Sequence, residues 1–400
     1  MAIDQIKKRL MEETGLVLNP PERLDLRPEE EIRAQLNSHV PVQSEKNVWA
    51  YWDKGFDAMP AWRQRNVIDW IRRNGKRWDV RVLDIVPSSP NHISRFIDSA
   101  YFPAGLYEGL SSDGQHAQAI ADFFRISTVY QHGGVYMDVG IMPIRDLDDI
   151  CWSTLEDPSS PYQVCAVMVG KIALVNYFLA ARKGDPFVHR WLRLFLEVWG
   201  NRETAKGICH HPLISHLGLI KSPIFPPTTD WEELTDYGAI TQCCARVKDN
   251  REPGEDGFDG PAYFQKHFFV LPDVPEFAGP ELSASDFRKA LLTPYSQDEN
   301  ASETEKKDQE EASQLVHSTL AGKSAYKFYS GFAKFGVKGL AAKVWDQPEH
   351  ANEESLPGTW GEVFRYGTVH FRQTRTVEPI VVPQITPITE VGLFEPVTKV

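Results

Sequence analysis

The chain has 400 residues, 42% of them hydrophobic and 24% charged, and a formal net charge of −12. That balance belongs to a globular protein with a real core. It excludes a wholly disordered, collagenous or coiled-coil chain, and the length fits one large α/β domain with insertions or two medium ones. The charge argues against a basic coat but not against a single basic groove.

No apolar run reaches the ~18 residues that span a bilayer. The start, MAIDQIKKRLMEETGL, is charged throughout and has no apolar signal core. Five cysteines are an odd number and no disulfide framework. The expectation is a cytoplasmic protein with no membrane partner.

Residues 1–44 read as an N-terminal helical extension, broken at Asn19-Pro20-Pro21. The aromatic run Val48–Trp52 reads as a first strand. A helix over 61–73 and a strand over 80–86 follow. Within 63–81, Arg63, Arg65, Arg72, Arg73, Lys76, Arg77 and Arg81 face only Asp69 and Asp79, a net of +5. Arg72, Arg73, Lys76 and Arg77 are therefore candidate phosphate or tRNA contacts, the alternative being a solvated helix face. Apolar spacing predicts a buried helix over 116–131, ended by His132-Gly133-Gly134. A strand over 135–142 comes next, and then a helix over 176–199 broken near Gly184-Asp185-Pro186.

The run 298–311 holds seven acids and two lysines and no large apolar residue, so 296–315 reads as an acidic mobile loop. Residues 316–400 read as a C-terminal helix, placed at 322–345, and extended segments packing on a catalytic domain over 45–295. Strands alternating with helices predict an α/β fold. It has a mostly parallel sheet flanked by helices, with helical and irregular additions.

The stretch 122–149 carries most of the functional information. Asp122 and Arg125 stand one helical turn apart, Gly133-Gly134 follow, and Asp138 sits late on an otherwise apolar strand. Ligands of open α/β sheets bind at the carboxyl ends of strands. A carboxylate there needs an ion partner or a cation. Gly133 and Gly134 would let the backbone approach a ligand closely. Asp122, Arg125, Gly133, Gly134 and Tyr136 are the candidate substrate-binding residues, and Asp138 is a candidate catalytic one.

The ordered set Val48-Trp-Ala-Tyr-Trp52, Met59-Pro60, Asp122-x-x-Arg125, Gly133-Gly-Val-Tyr-Met-Asp138, Asn176-Tyr-Phe-Leu-Ala-Ala and Gly184-Asp-Pro-Phe covers about 45–200. It resembles the nucleotide-sugar glycosyltransferases of the capsular-polysaccharide-synthesis type, including fungal biosynthetic members. The resemblance implies a GT-A-like, Rossmann-related domain. It also implies a D-x-D motif whose carboxylates hold Mn²⁺ or Mg²⁺ against the donor's diphosphate. Here Asp138 keeps the first acid, but the third position is Gly140. His370 is a candidate late ligand, a lone histidine more often being structural.

The reduced metal motif opens another branch of the same resemblance, fungal synthases of arginine-containing cyclodipeptides that use aminoacyl-tRNAs. Their acidic D-D-x-x-E motif is partly matched by Thr229-Asp230-Trp231-Glu232-Glu233. Asp230 and Glu233 could equally open a helix, and both roles can hold at once. Such a synthase needs no cofactor. It needs acids for the guanidinium, a general base and a basic surface for arginyl-tRNA and a second aminoacyl-tRNA. Its diketopiperazine would pass to tailoring enzymes of secondary metabolism, with no DNA partner. The expectation favours this synthase, with Asp138, Asp230 and Glu233 catalytic and no metal. The alternative is a glycosyltransferase acting on a small-molecule acceptor, with Asp122 and Arg125 around the nucleotide and Asp138 at Mn²⁺ or Mg²⁺. A third class is a catalytically dead binding protein.

Overall fold

The computed structural model describes residues 3–108, 117–170, 173–277, 285–295 and 301–397. Six strands form the central sheet. They are β1 (Asn47–Tyr51), β2 (Asp79–Leu83), β3 (Gly134–Met137), β4 (Val164–Val169), β5 (Ala173–Ala181) and β6 (Phe268–Pro272). The order is β2-β1-β3-β5-β4-β6, and β5 alone runs against the others. The predicted α/β class and mostly parallel sheet are what the molecule has.

Alternation along β1 divides the core. Trp49 and Tyr51 join the cluster under helices α2 (Ala117–His132) and α3 (Pro186–Trp199), with Phe123, Phe124, Phe187 and Phe195. Val48 and Ala50 face the other way, against Val67, Trp70 and Ile71 of helix α1 (Ala61–Asn74). A third cluster packs Trp62, Trp345 and Phe364 beside helices α5 (Glu303–Gly322) and α6 (Trp360–His370).

Four sequence expectations change. The stretch 176–181 belongs to strand β5, and the helix begins only at Pro186, capped by Asp185. A short apolar run buried on both sides has no period to tell strand from helix. The acidic run is largely helix: α5 starts at a capping box made by Ser302 and Glu305, and Ala312, Val316 and Leu320 give it a buried stripe. Part of that run, 296–300, lies outside the described residues. Ala325–Lys327 is a strand paired with Ile141–Pro143, where a helix over 322–345 was expected. Trp360–His370 is a helix where extended segments were expected.

The basic segment is internal. Arg63 binds Asp346 at 3.0 Å, and Arg65 binds Glu354 at 2.7 Å. Arg73 is 1% exposed, donates to the carbonyls of Thr368 and Phe371, and lies 3.3 Å from Asp146. Arg77 reaches Asp146 and Asp148. Arg72 donates to the Arg27 carbonyl, which leaves Lys76 alone of the four well exposed. The acids of 146–149 were placed nearby by the fold, not by chain proximity. Burial pulls the Arg73 guanidinium down to about 10 against the attraction of Asp146. Arg73→Met is expected to cost about 3 kcal/mol, the low end for breaking a buried pair, because Arg77 and Arg23 still face Asp146. Urea denaturation would measure it.

Candidate active site

The carboxyl end of β3 is where the predicted residues meet. Asp138 follows the strand directly, and its backbone N–H donates to the Tyr177 carbonyl of β5 at 2.9 Å. Its side chain is 29% exposed. Oδ1 accepts the Tyr136 hydroxyl at 2.7 Å, and Oδ2 accepts the Lys327 ammonium at 2.6 Å. Burial in the cleft raises the Asp138 pKa, but Lys327 and then Arg125 outweigh it and hold the group below the ordinary aspartate value.

Helix α2 supplies the next layer. Asp122 and Arg125 are each 6% exposed and pair at 3.2 Å. Arg125 also donates to the Asn176 carbonyl at 2.8 Å, lies 4.0 Å from Asp138 and sits 4.8 Å above the Tyr136 ring. Burial, with Asp138 adding to it and Arg125 opposing it, pushes the Asp122 carboxyl up to about 7. Asp122 then opens onto a cavity of about 600 Å³, walled by Phe195, Trp199 and Tyr237 on its less polar sides.

The chain is similar to known proteins. The family model for the capsular polysaccharide synthesis protein matches residues 27–211. The O-glycosyltransferase braB of Annulohypoxylon truncatum is 34% identical, across 96% of this chain and 93% of its own. The O-glycosyltransferase PaGT of Phomopsis amygdali is 35% identical, across 94% and 95%. The probable glycosyltransferase FCK3 of Fusarium pseudograminearum is 36% identical, across 94% and 97%. The chain belongs to this capsular-synthesis-type glycosyltransferase family.

Membership overturns the cyclodipeptide synthase expectation, because the full-length relatives are glycosyltransferases. Arginyl-tRNA and a second aminoacyl-tRNA fall with it as partners. The supposed tRNA surface fails on its own terms too, since Arg73 and Arg77 are engaged by Asp146 and Asp148. No described helix is long and apolar enough to cross a membrane.

Other predicted residues of this family member lie elsewhere or do other work. Gly133 and Gly134 are at the amino end of β3, away from Asp138. A Cβ on Gly134 would stand 2.3 Å from the Asn47 carbonyl, and one on Gly133 2.7 Å from the Glu45 carboxylate. With φ of +70° and +104°, they serve strand packing, not substrate approach. Asp230 caps helix α4 (Trp231–Tyr237), accepting the N–H groups of Glu232 and Glu233 at 3.0 and 3.1 Å. Glu233 pairs with Lys334 at 3.1 Å. Both acids sit at the cavity wall, not beside Asp138. His370 stacks on Tyr366 with ring centroids 4.3 Å apart.

Lys327 was missed, along with Asn176's part in holding Asp122 and Arg125. The sequence carried a signal for the lysine's strand, though not for its place beside Asp138. Ala325-Tyr-Lys-Phe-Tyr329 is aromatic-rich in the manner of a strand.

Proposed function

We propose that this chain moves a glycosyl group from a nucleotide-sugar to a hydroxyl oxygen of a small, largely apolar acceptor. The placement of Asp122 carries the reading. It stands where the 600 Å³ cavity meets the Asp138–Lys327–Arg125 cluster, so one carboxylate touches both halves of a two-substrate site. The cavity's aromatic walls suit an apolar acceptor. The relatives' names as O-glycosyltransferases support an oxygen nucleophile.

The donor's nucleoside fits the carboxyl ends of β1 and β2. A hollow of about 260 Å³ lies there, bounded by Lys54, Asp84 and Asn91. Two buried donors at the end of β1, the Tyr51 hydroxyl and Trp52 Nε1, do not line that hollow but have no hydrogen-bond partner among the described residues. Such groups are costly unless a ligand or water meets them.

In this reading Asp122 is the general base for the acceptor hydroxyl. Arg125 holds it in place from below, and Asp138 orients the two cations. A group near neutrality suits a base working near neutral pH.

Purified protein incubated with UDP-, GDP- and dTDP-sugars and a panel of hydroxylated terpenoids and phenols should give a product heavier by one dehydrated sugar. Mass spectrometry reads it. No such product, together with no hydrolysis of any donor, would defeat the reading.

A further inference from the structure

The resemblance implies a divalent cation at Asp138, and the residues present do not fit one. Both Asp138 oxygens are already engaged by donors, Tyr136 on one and the Lys327 ammonium on the other, so a cation there would have to compete with a fixed positive charge. Among the described residues no three His, Cys, Asp or Glu side chains gather where they could share an ion. The second acid of the motif is Gly140, and the fold explains why. A Cβ there would stand 2.7 Å from the Phe328 carbonyl oxygen. That oxygen belongs to backbone held in place, because the Phe328 N–H donates to the Gly140 carbonyl at 2.9 Å. A carboxylate at position 140 would collide with it.

The same strand delivers the replacement. Lys327 pairs in register with Ile141, and its N–H donates to the Phe277 carbonyl at 2.8 Å. Its ammonium is thereby fixed 3.7 Å from where that Cβ would be. The charges match as well. Two carboxylates with a divalent cation sum to zero, and so do one carboxylate with one ammonium. Lys327 is 8% exposed, and Asp138 is the sole hydrogen-bond acceptor of its ammonium among the described residues. An ammonium has three donors, so two remain for a ligand. The ammonium nitrogen itself sits 5.3 and 5.7 Å from the ring centroids of Tyr177 and Tyr329.

We propose that this chain transfers its sugar without a divalent cation, the Lys327 ammonium standing in the metal's place beside the donor's diphosphate. The proposal rests on the glycosyltransferase reading. In the step, the bond from the sugar's anomeric carbon to the distal phosphate oxygen breaks, its electron pair leaving with the diphosphate. A bond from the acceptor oxygen to that carbon forms, and the acceptor proton goes to Asp122. The nucleoside diphosphate leaves with one more negative charge than it carried as donor. Lys327, with Arg125 behind it, meets that charge as it develops, and a fixed cation in a low-dielectric cleft is well suited to this.

Two comparisons test it on the full chain. UDP, GDP and dTDP are titrated calorimetrically in EDTA and again in Mn²⁺, and donor turnover is followed in both buffers. Affinity and turnover are expected to agree within about three-fold between buffers, and a Mn²⁺ gain beyond that overturns the proposal. Lys327→Met is expected to weaken the bound diphosphate at least ~10-fold while the matching nucleoside binds as before; an unchanged diphosphate affinity overturns it too. Lys327→Arg, which keeps the charge, should recover part of the loss. Should the methionine variant not fold, the wild-type buffer comparison decides alone. Failure of every diphosphate to bind in either buffer would remove the glycosyltransferase reading as well, whereas Mn²⁺ dependence would remove only the metal-free step.

Discussion

Asp138→Asn is expected to lower kcat by about 10²–10³-fold while leaving the donor's KM unchanged or lower. The carboxylate is bracketed by cations: Lys327 at 2.6 Å and Arg125 at 4.0 Å. Asparagine keeps an oxygen for the Tyr136 hydroxyl and keeps the volume. It loses the charge that aims both cations. Lys327 is held down by burial and raised again by Asp138, so removing the charge leaves the ammonium less favourable and free to turn. Catalysis suffers because the cations are no longer held in register with the leaving group. Ground-state affinity for a diphosphate does not suffer, because the carboxylate that repels it is gone. A metal-holding aspartate would behave the other way, losing nucleotide affinity together with its ion. Steady-state kinetics and UDP titration of the one variant separate the two outcomes, and a thermal melt confirms that it folds.

Why Asp138 was legible and Lys327 was not is a matter of range. Everything that marks Asp138 is local. A strong apolar period sets helix α2, two glycines stop it, and a four-residue strand then ends on an acid. The Asp122–Arg125 pair is one turn of that same helix. Lys327 lies 189 residues further on, and only the pairing of Ala325–Lys327 with Ile141–Pro143 brings it in. No periodicity reports such a pairing. The basic segment misled for the same reason. Its +5 looked like a surface because its acids, Asp346, Glu354 and Asp146, belong to other parts of the chain. Charge counted along a sequence does not distinguish an exposed patch from one half of a buried ion-pair layer. The acidic run erred in the opposite sense: Ala312, Val316 and Leu320 recur at helical spacing just past the stretch whose composition was weighed.

Asp122→Asn is expected to reduce transfer by about 10³-fold and to change how stability responds to pH. As the base, Asp122 must be ionised to work. With its carboxyl pushed up to about 7, kcat/KM should rise with pH through neutrality and level off above it. The variant should lose that limb along with the rate. Folding carries an independent signature of the same group. Its pKa is raised in the folded state from an ordinary value of 3.8, so between the two values the folded chain holds a proton that the unfolded chain has released. Stability from this group is therefore present at low pH and is lost as pH climbs through that window, the reverse of an ordinary ion-paired aspartate. From pH 5 to pH 8 the loss amounts to about 2–3 kcal/mol for a shift of this size. Asparagine cannot titrate, so denaturant midpoints of the variant should fall less over that range than those of the wild type. Arg125 keeps its contacts with the Asn176 carbonyl and with Asp138, which limits the cost of removing its nearest counterion. A variant that keeps full activity would clear Asp122 of the base's role even if the stability curves diverge. Parallel stability curves would instead show that the carboxyl is ionised throughout, and would place any acid limb in the rate profile on another group.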